Sequence, residues 1–136
     1  MADARIRGEV LDWLHEAQED LGVARELLEL GRFSHACFLA QQAAEKALKA
    51  LALAELRRYE RSHDLTELYE LVSRCLPLPE DVVSRLPTLS TYYLVARYPN
   101  AGLRRPSRAI GRQQAEEAVE VAGHVLGAVK RAIGEA

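Results

Sequence analysis

Residues 34–57, with the sequence SHACFLAQQAAEKALKALALAELR, decide the fold of this chain. Seven of the alanines in this stretch fall with three leucines on one broad face when successive residues are placed 100° apart around a helix. Alanine is the strongest helix former, and its small side chain lets neighbouring helices approach closely. The stretch therefore predicts the central helix of a helical bundle.

The composition of the whole chain agrees with this prediction. Of the 136 residues, 49% are hydrophobic and only 6% are aromatic. Alanine and leucine supply 21 residues each, whereas the residue types that favour strands are scarce. The length suits one domain. We therefore expect a single all-α domain over residues 1–136, with its core at about residues 9–133.

Location and cysteine chemistry follow from the same composition. No run approaches the roughly 20 uncharged apolar residues that a membrane span requires. The first ten residues, MADARIRGEV, lack the apolar segment of a signal peptide, so the expected location is the cytoplasm. Cys37 and Cys75 both fall in apolar helical stretches and are predicted to be buried thiols rather than a disulfide.

The apolar spacing of the remaining chain predicts further helices joined by short connections. Ser34 and Ser107 are predicted to cap the second and last helices, and Asp64 with Glu67 has the spacing of a capping box. Short connections favour antiparallel neighbours, so the expected fold is an up-and-down bundle of four or five helices. The predicted helical segments are 10–31, 34–57, one starting near 64, a short turn at 80–86, 88–97 and 108–133.

Arginine is concentrated in two stretches. The net charge is −2, but residues 57–63 and 97–112 together hold eight arginines and one acid. In an up-and-down bundle both stretches are expected at the same end, where guanidinium groups would bind phosphate oxygens. The alternative is that these arginines pair with carboxylates or helix-end carbonyls. The predicted nucleotide- or phosphate-binding residues are Arg57, Arg61, His63, Arg97, Tyr98, Arg104, Arg105 and Arg108.

A second surface is predicted on the polar side of the central helix. Phe38 and Leu53 are large apolar residues on an arc that also carries Gln42, Glu45 and Lys49. Apolar residues among polar ones favour a dimer or partner contact. Single exposed hydrophobic residues are also common in soluble proteins, and Glu45 with Lys49 equally fits an ion pair on a solvated helix face.

Three segments resemble the HEPN family: FLAQQAAEKALKAL at 38–51, SHDL at 62–65 and YYLVARYPN at 92–100. The similarity covers nearly the whole chain, roughly residues 9–130. It implies a helical bundle that commonly dimerises and binds nucleotides or RNA. Genes of the family often lie beside a gene for a minimal nucleotidyltransferase.

Several branches of this family are metal-independent RNases with an Arg-x(4–6)-His motif, in toxin–antitoxin or defence systems. Arg58 and His63 satisfy that spacing, although the family motif usually lies later in the domain. After Arg97 the next histidine is His124, so the late segment lacks the motif. The histidines show no metal-ligand spacing, and we expect neither a metal nor a cofactor.

The leading hypothesis is a module that binds nucleotides or RNA phosphates. It would act as a homodimer with a separately encoded nucleotidyltransferase, as in a toxin–antitoxin-type pair. One alternative is a metal-independent RNase toxin that uses Arg58 and His63. The other is a non-catalytic structural interaction protein.

Overall fold

The computed structural model describes residues 2–135, and side chains from residue 4 onward. Five helices of eight residues or more confirm the predicted all-α bundle, and the described residues include no strand. None of the helices between residues 2 and 135 is long and apolar enough to cross a membrane. The helices are α1 Ala2–Glu29, α2 Phe33–Leu56, α3 Leu65–Val72, α4 Glu80–Val83, α5 Leu86–Val95, α6 Pro106–Ala109 and α7 Arg112–Ile133.

Helix α2 lies at the centre of the bundle, in contact with α1, α3, α5 and α7. Its alanines Ala36, Ala40, Ala43, Ala44 and Ala47 have no exposed surface. Methyl side chains let the neighbouring helices pack close to the α2 backbone, as the sequence predicts. Because neighbours surround α2, several of its polar residues are enclosed in the bundle as well.

Two of the predicted helix caps are wrong. Helix α2 begins at Phe33, so Ser34 lies in its first turn, where it is buried. Ser107 belongs to the short helix α6, because Ile110 is extended and separates α6 from α7. The start of α7 is stabilised instead by Gln114, whose Oε1 accepts a hydrogen bond from the backbone N–H of Gly111 at 2.7 Å.

The predicted cap of α3 is confirmed, with one change. Oδ1 of Asp64 accepts hydrogen bonds from the backbone N–H groups of Thr66 at 2.9 Å and Glu67 at 3.4 Å. The N–H of Asp64 donates to Oγ of Ser62 at 3.0 Å, and that hydroxyl donates to Oε2 of Glu67 at 3.3 Å. In a reciprocal capping box the side chain of Glu67 would accept the hydrogen bond from the N–H of Asp64. Here Oγ of Ser62 accepts it instead.

The two cysteines lie in different environments and are not bonded to each other. Cys37 is buried next to Tyr92, and burial raises the pKa of its thiol to about 12. The prediction of a buried thiol is wrong for Cys75, which is exposed. Helix α3 ends at Val72, so Cys75 lies in the turn that follows the helix.

A segment without regular structure, residues 57–64, determines where the second half of the chain lies. We call this segment the strap. Arg57 has a φ of 55°, and the chain reverses direction there at the end of α2. Nδ1 of His63 then lies 3.0 Å from Oε2 of Glu45, which precedes Leu56 by eleven residues. At 1.5 Å per helical residue, the strap runs back along α2 for about 16 Å.

Because of the strap, Arg57 and Arg97 lie at opposite ends of α2, and the predicted joint cluster of the two basic stretches is wrong. Arg57 lines a cavity with Ile6 of α1 and Ile133 of α7. Arg97 contacts Phe38, near the start of α2. Arg57 follows Phe38 by nineteen positions, which corresponds to about 28 Å along the helix axis.

Candidate functional site

Three polar residues of α2 form a row inside the bundle. Gln41, Glu45 and Lys49 are 0%, 4% and 7% exposed, although they follow the i, i+4 spacing typical of a solvated face. Glu45 accepts hydrogen bonds from Nε2 of Gln41 at 3.0 Å and from Nζ of Lys49 at 2.9 Å. The Lys49 ammonium also lies 5.8 Å from the centre of the Trp13 ring. The buried carboxylate is therefore paired and hydrogen-bonded, as burial of a charge requires.

This burial changes the interpretation of the predicted dimer or partner surface. Leu53 is 1% exposed and packs in the chain's own interior beside Val10. Glu45 and Lys49 are also enclosed. Phe38 and Gln42 are half-buried. The outward arc that the sequence predicts along α2 is thus largely covered by the strap and by neighbouring helices.

His63 is held in one orientation by the buried row. Its Nδ1 faces the Glu45 carboxylate, and its backbone carbonyl accepts a hydrogen bond from Nε2 of Gln41 at 3.2 Å. Its ring stacks on Tyr93, with centroids 3.9 Å apart and planes 13° from parallel. The side chain is 46% exposed, and Nε2 has no hydrogen-bond partner among residues 4–135. A carboxylate on Nδ1 makes that nitrogen the donor, so Nε2 of the neutral ring can accept a proton.

Arg97 lies among three aromatic rings. Its guanidinium carbon is 4.7 Å from the Phe38 ring centre, 4.5 Å from that of Tyr93 and 4.7 Å from that of Tyr98. Its Nε donates a hydrogen bond to the backbone carbonyl of Tyr93 at 2.7 Å. No carboxylate of the described side chains forms an ion pair with it. These contacts fix the position of the guanidinium without neutralising its charge.

We call residues 97–112 the arginine loop, after its five arginines. It contains no aspartate or glutamate. Its members Arg104, Arg105 and Arg108 are exposed, and none forms an ion pair with a carboxylate in the part of the chain whose side chains are described. Elsewhere Arg58 pairs with Glu60 at 2.8 Å. The loop is therefore a concentrated and unpaired positive charge.

The structure keeps part of the predicted phosphate-binding set together. Arg97, Tyr98, Arg104, Arg105 and Arg108 share the arginine loop, and His63 joins them because it and Arg97 both lie against Tyr93. Arg57 lies at the far end of the bundle and Arg58 is paired. Arg61 is exposed on the strap. What remains of the predicted site is the arginine loop together with His63, which lies on one flank of α2.

Sequence reasoning missed the contacts among Glu45, His63 and Tyr93. A signal was present, because Phe38 and Leu53 bracket the polar residues of the same arc of α2. Large apolar residues at both ends of a polar arc indicate that other parts of the chain cover it. Nothing in the spacing along the chain indicates that His63 is the residue that reaches Glu45.

Fold and site together define a class: a helical bundle that carries, on one flank, arginines without carboxylate partners and a histidine oriented by a buried carboxylate. The sequence model of the HEPN domain family matches residues 10–132 of this chain. The chain belongs to the HEPN family.

Known proteins similar to this chain agree with that membership. A crystal structure of TT1696 from Thermus thermophilus is 38% identical, covers 90% of this chain and 97% of its own, and superposes with a TM-score of 0.82. A crystal structure of ST0689, an archaeal HEPN homologue, is 31% identical over 91% of this chain and 97% of its own, with a TM-score of 0.76. A relative from Methanocaldococcus jannaschii, named "Putative toxin MJ1304", is 24% identical over 87% of this chain and 84% of its own.

Replacing Glu45 with leucine is expected to destabilise the protein by about 3–5 kcal/mol, because Lys49 then remains buried without its anion. The double variant Glu45→Leu/Lys49→Met is expected to recover most of this loss, since no charge is left unpaired. Urea denaturation measures the free energy of unfolding of each variant.

Lys46 and Asp20 supply the matched control, because their 2.7 Å ion pair is more exposed. Asp20→Leu is expected to cost less than Glu45→Leu, because the Lys46 side chain is 24% exposed and its ammonium can still reach water. A double variant as unstable as Glu45→Leu alone would contradict the assigned role of the buried pair.

Proposed function

We propose that this HEPN protein binds the phosphate groups of RNA through the arginine loop, in a toxin-type role. The observation that carries the proposal is the absence of ion pairs with carboxylates at Arg97, Arg104, Arg105 and Arg108 among the described side chains. The toxin-type role is supported by the name of the M. jannaschii relative. The similarity between that protein and this chain extends over most of both sequences.

The charge distribution supports a local site rather than a generally basic protein. The net charge is −2, so the chain as a whole does not attract a polyanion. The arginine loop carries five positive charges and no negative one. Guanidinium groups present several donors in a plane and form paired hydrogen bonds with phosphate oxygens. Binding is therefore expected to depend on the loop and to weaken as salt displaces the RNA.

Fluorescence anisotropy with a labelled single-stranded RNA tests this proposal. The affinity is expected to fall as salt rises between about 50 and 200 mM, because phosphate contacts release counterions. The triple variant Arg104→Gln/Arg105→Gln/Arg108→Gln is expected to bind more weakly and to lower the slope of log K against log salt by about 2, since each lost contact removes about 0.7.

The control is the double variant Arg7→Gln/Arg85→Gln, which removes two positive charges outside the loop. Arg7 pairs with Glu135 at 3.3 Å, and Arg85 pairs with Glu120 at 3.3 Å. Its affinity and salt slope are expected to match those of the unaltered protein. Equal losses in both variants would mean that overall charge, rather than the loop, attracts RNA. Absence of salt-sensitive binding would overturn the proposed function and favour a structural interaction protein.

The proposed assembly is a homodimer that works with a separately encoded nucleotidyltransferase. Support comes from the HEPN membership and from the apolar residue Leu94, which is 51% exposed beside His63 on the flank that carries the site. Light scattering is expected to give a molar mass about twice the 15.2 kDa of one chain.

Leu94→Glu is expected to return the protein to a single chain, because it places a charge in the proposed contact. Leu30→Glu is the control, since Leu30 is 73% exposed at the end of α1. A single-chain mass for the unaltered protein would contradict the homodimer. A dimer that survives Leu94→Glu would contradict this location of the contact.

A second candidate function, RNA cleavage without a metal, is favoured by the orientation of His63. With Glu45 on Nδ1, Nε2 can take the proton of a ribose 2′-hydroxyl as that oxygen attacks the adjacent phosphorus. The bond from phosphorus to the 5′-oxygen of the next nucleotide then breaks, a 2′,3′-cyclic phosphate remains, and the 5′-oxygen takes a proton from water as it leaves. Arg97, which lies against the same Tyr93 ring, would stabilise the negative charge on the phosphate. The structure thus favours Arg97 over Arg58 as the arginine that accompanies His63.

Gel analysis of RNA incubated with the protein and a chelator tests this candidate. Cleavage is expected to continue in the chelator and to cease in His63→Ala, because Nε2 of His63 is the proposed proton acceptor. The control is His124→Ala, which changes an exposed histidine of α7. Cleavage that persists in His63→Ala would refute the assignment.

A further inference from the structure

A cleft opens beside Arg97, between the start of α2 and the arginine loop. We call it the aromatic cleft, and its volume is about 570 Å³. This volume lies in the range of small-molecule binding sites. Its lining residues are Ser34, His35, Phe38, Ala96, Arg97, Tyr98, Pro106 and Ser107.

The lining combines flat surfaces with hydrogen-bonding groups. Phe38 and Tyr98 supply planar faces, and Tyr98 is 49% exposed. Ser34 is 3% exposed, and its hydroxyl lies 3.5 Å from Nδ1 of His35. Planar faces favour a planar ligand, and the hydroxyl and imidazole groups favour one with polar edges. A nucleobase has both properties.

The surroundings of the cleft indicate how such a base would be attached. Pro106 and Ser107 line the cleft, and the exposed arginines Arg105 and Arg108 flank them in the sequence. A base in the cleft would therefore have unpaired guanidinium groups one residue away along the chain from the cleft wall, available to the phosphates of the same strand. A base paired within a duplex keeps both faces stacked on its neighbours and cannot enter.

We propose that the aromatic cleft binds one unpaired base of a single-stranded RNA whose phosphates lie on the arginine loop. This inference rests on the proposed RNA binding and adds the form of RNA that is selected. Base stacking on an aromatic side chain is worth a factor of roughly 5 to 150 in affinity, the equivalent of about 1–3 kcal/mol. Single strands therefore bind more tightly than duplexes of equal length.

Anisotropy titrations with a single-stranded RNA and a duplex of the same length test the inference. Tyr98→Ala is expected to weaken single-strand binding roughly 5- to 150-fold and to weaken duplex binding much less, because a duplex contacts the guanidinium groups of the loop and does not stack a base on the Tyr98 ring. Tyr98→Phe is expected to restore single-strand binding, since the ring remains. Tyr98 is half-exposed, so its removal leaves the core intact; circular dichroism checks this.

Each outcome separates the two proposals. If single strand and duplex bind equally with the same salt dependence, and Tyr98→Ala changes neither, the loop binds RNA and the cleft inference falls. An equal loss for both RNAs in Tyr98→Ala also overturns it. If neither RNA binds, the proposed function and the inference fall together.

Free adenosine and uridine monophosphates, added as competitors, distinguish the source of the base. Weak competition compared with the single strand supports the inference, because an attached strand adds phosphate contacts on the loop. Displacement of the strand at equal concentrations of mononucleotide would overturn it in favour of a mononucleotide site.

Discussion

One buried carboxylate, that of Glu45, governs the arrangement of this bundle. It accepts hydrogen bonds from Gln41 and Lys49 of its own helix and faces Nδ1 of His63 across the bundle. An ionised carboxylate inside a protein requires such partners, because water no longer solvates it. The requirement holds the strap against α2. The helices that follow the strap therefore start halfway along α2 rather than at its end.

The path of the strap explains the distribution of charge on the surface. At one end of the bundle Arg7 is paired with Glu135, and Tyr59 of the strap donates a hydrogen bond to Glu9 at 2.5 Å. At the other end the arginine loop has no acidic residue of its own, and aromatic rings rather than carboxylates hold Arg97. Aromatic contacts orient a guanidinium and leave its charge available, which suits a phosphate ligand.

The same row of side chains connects the interior to the proposed site. Glu45 orients His63, His63 stacks on Tyr93, and Tyr93 contacts Arg97. A histidine and an arginine that are 34 residues apart thus meet on one ring. The HEPN resemblance implies a short Arg-x(4–6)-His motif in the RNase branches. Here Arg58, the arginine at that spacing, is paired with Glu60, and tertiary packing brings Arg97 to the Tyr93 ring on which His63 stacks.

The sequence by itself determined the all-α bundle, the central position of α2 and the cap at Asp64, because helix propensity, alanine spacing and local hydrogen bonds act within a few residues of the chain. It also located the arginine-rich loop, since composition is directly visible. Only the tertiary structure decided that Glu45 and Lys49 are internal, that His63 reaches Glu45 and that Arg57 and Arg97 lie at opposite ends of α2. The course of residues 57–64 has no periodic pattern that predicts it, because the contact of His63 with Glu45 joins residues eighteen positions apart in the chain.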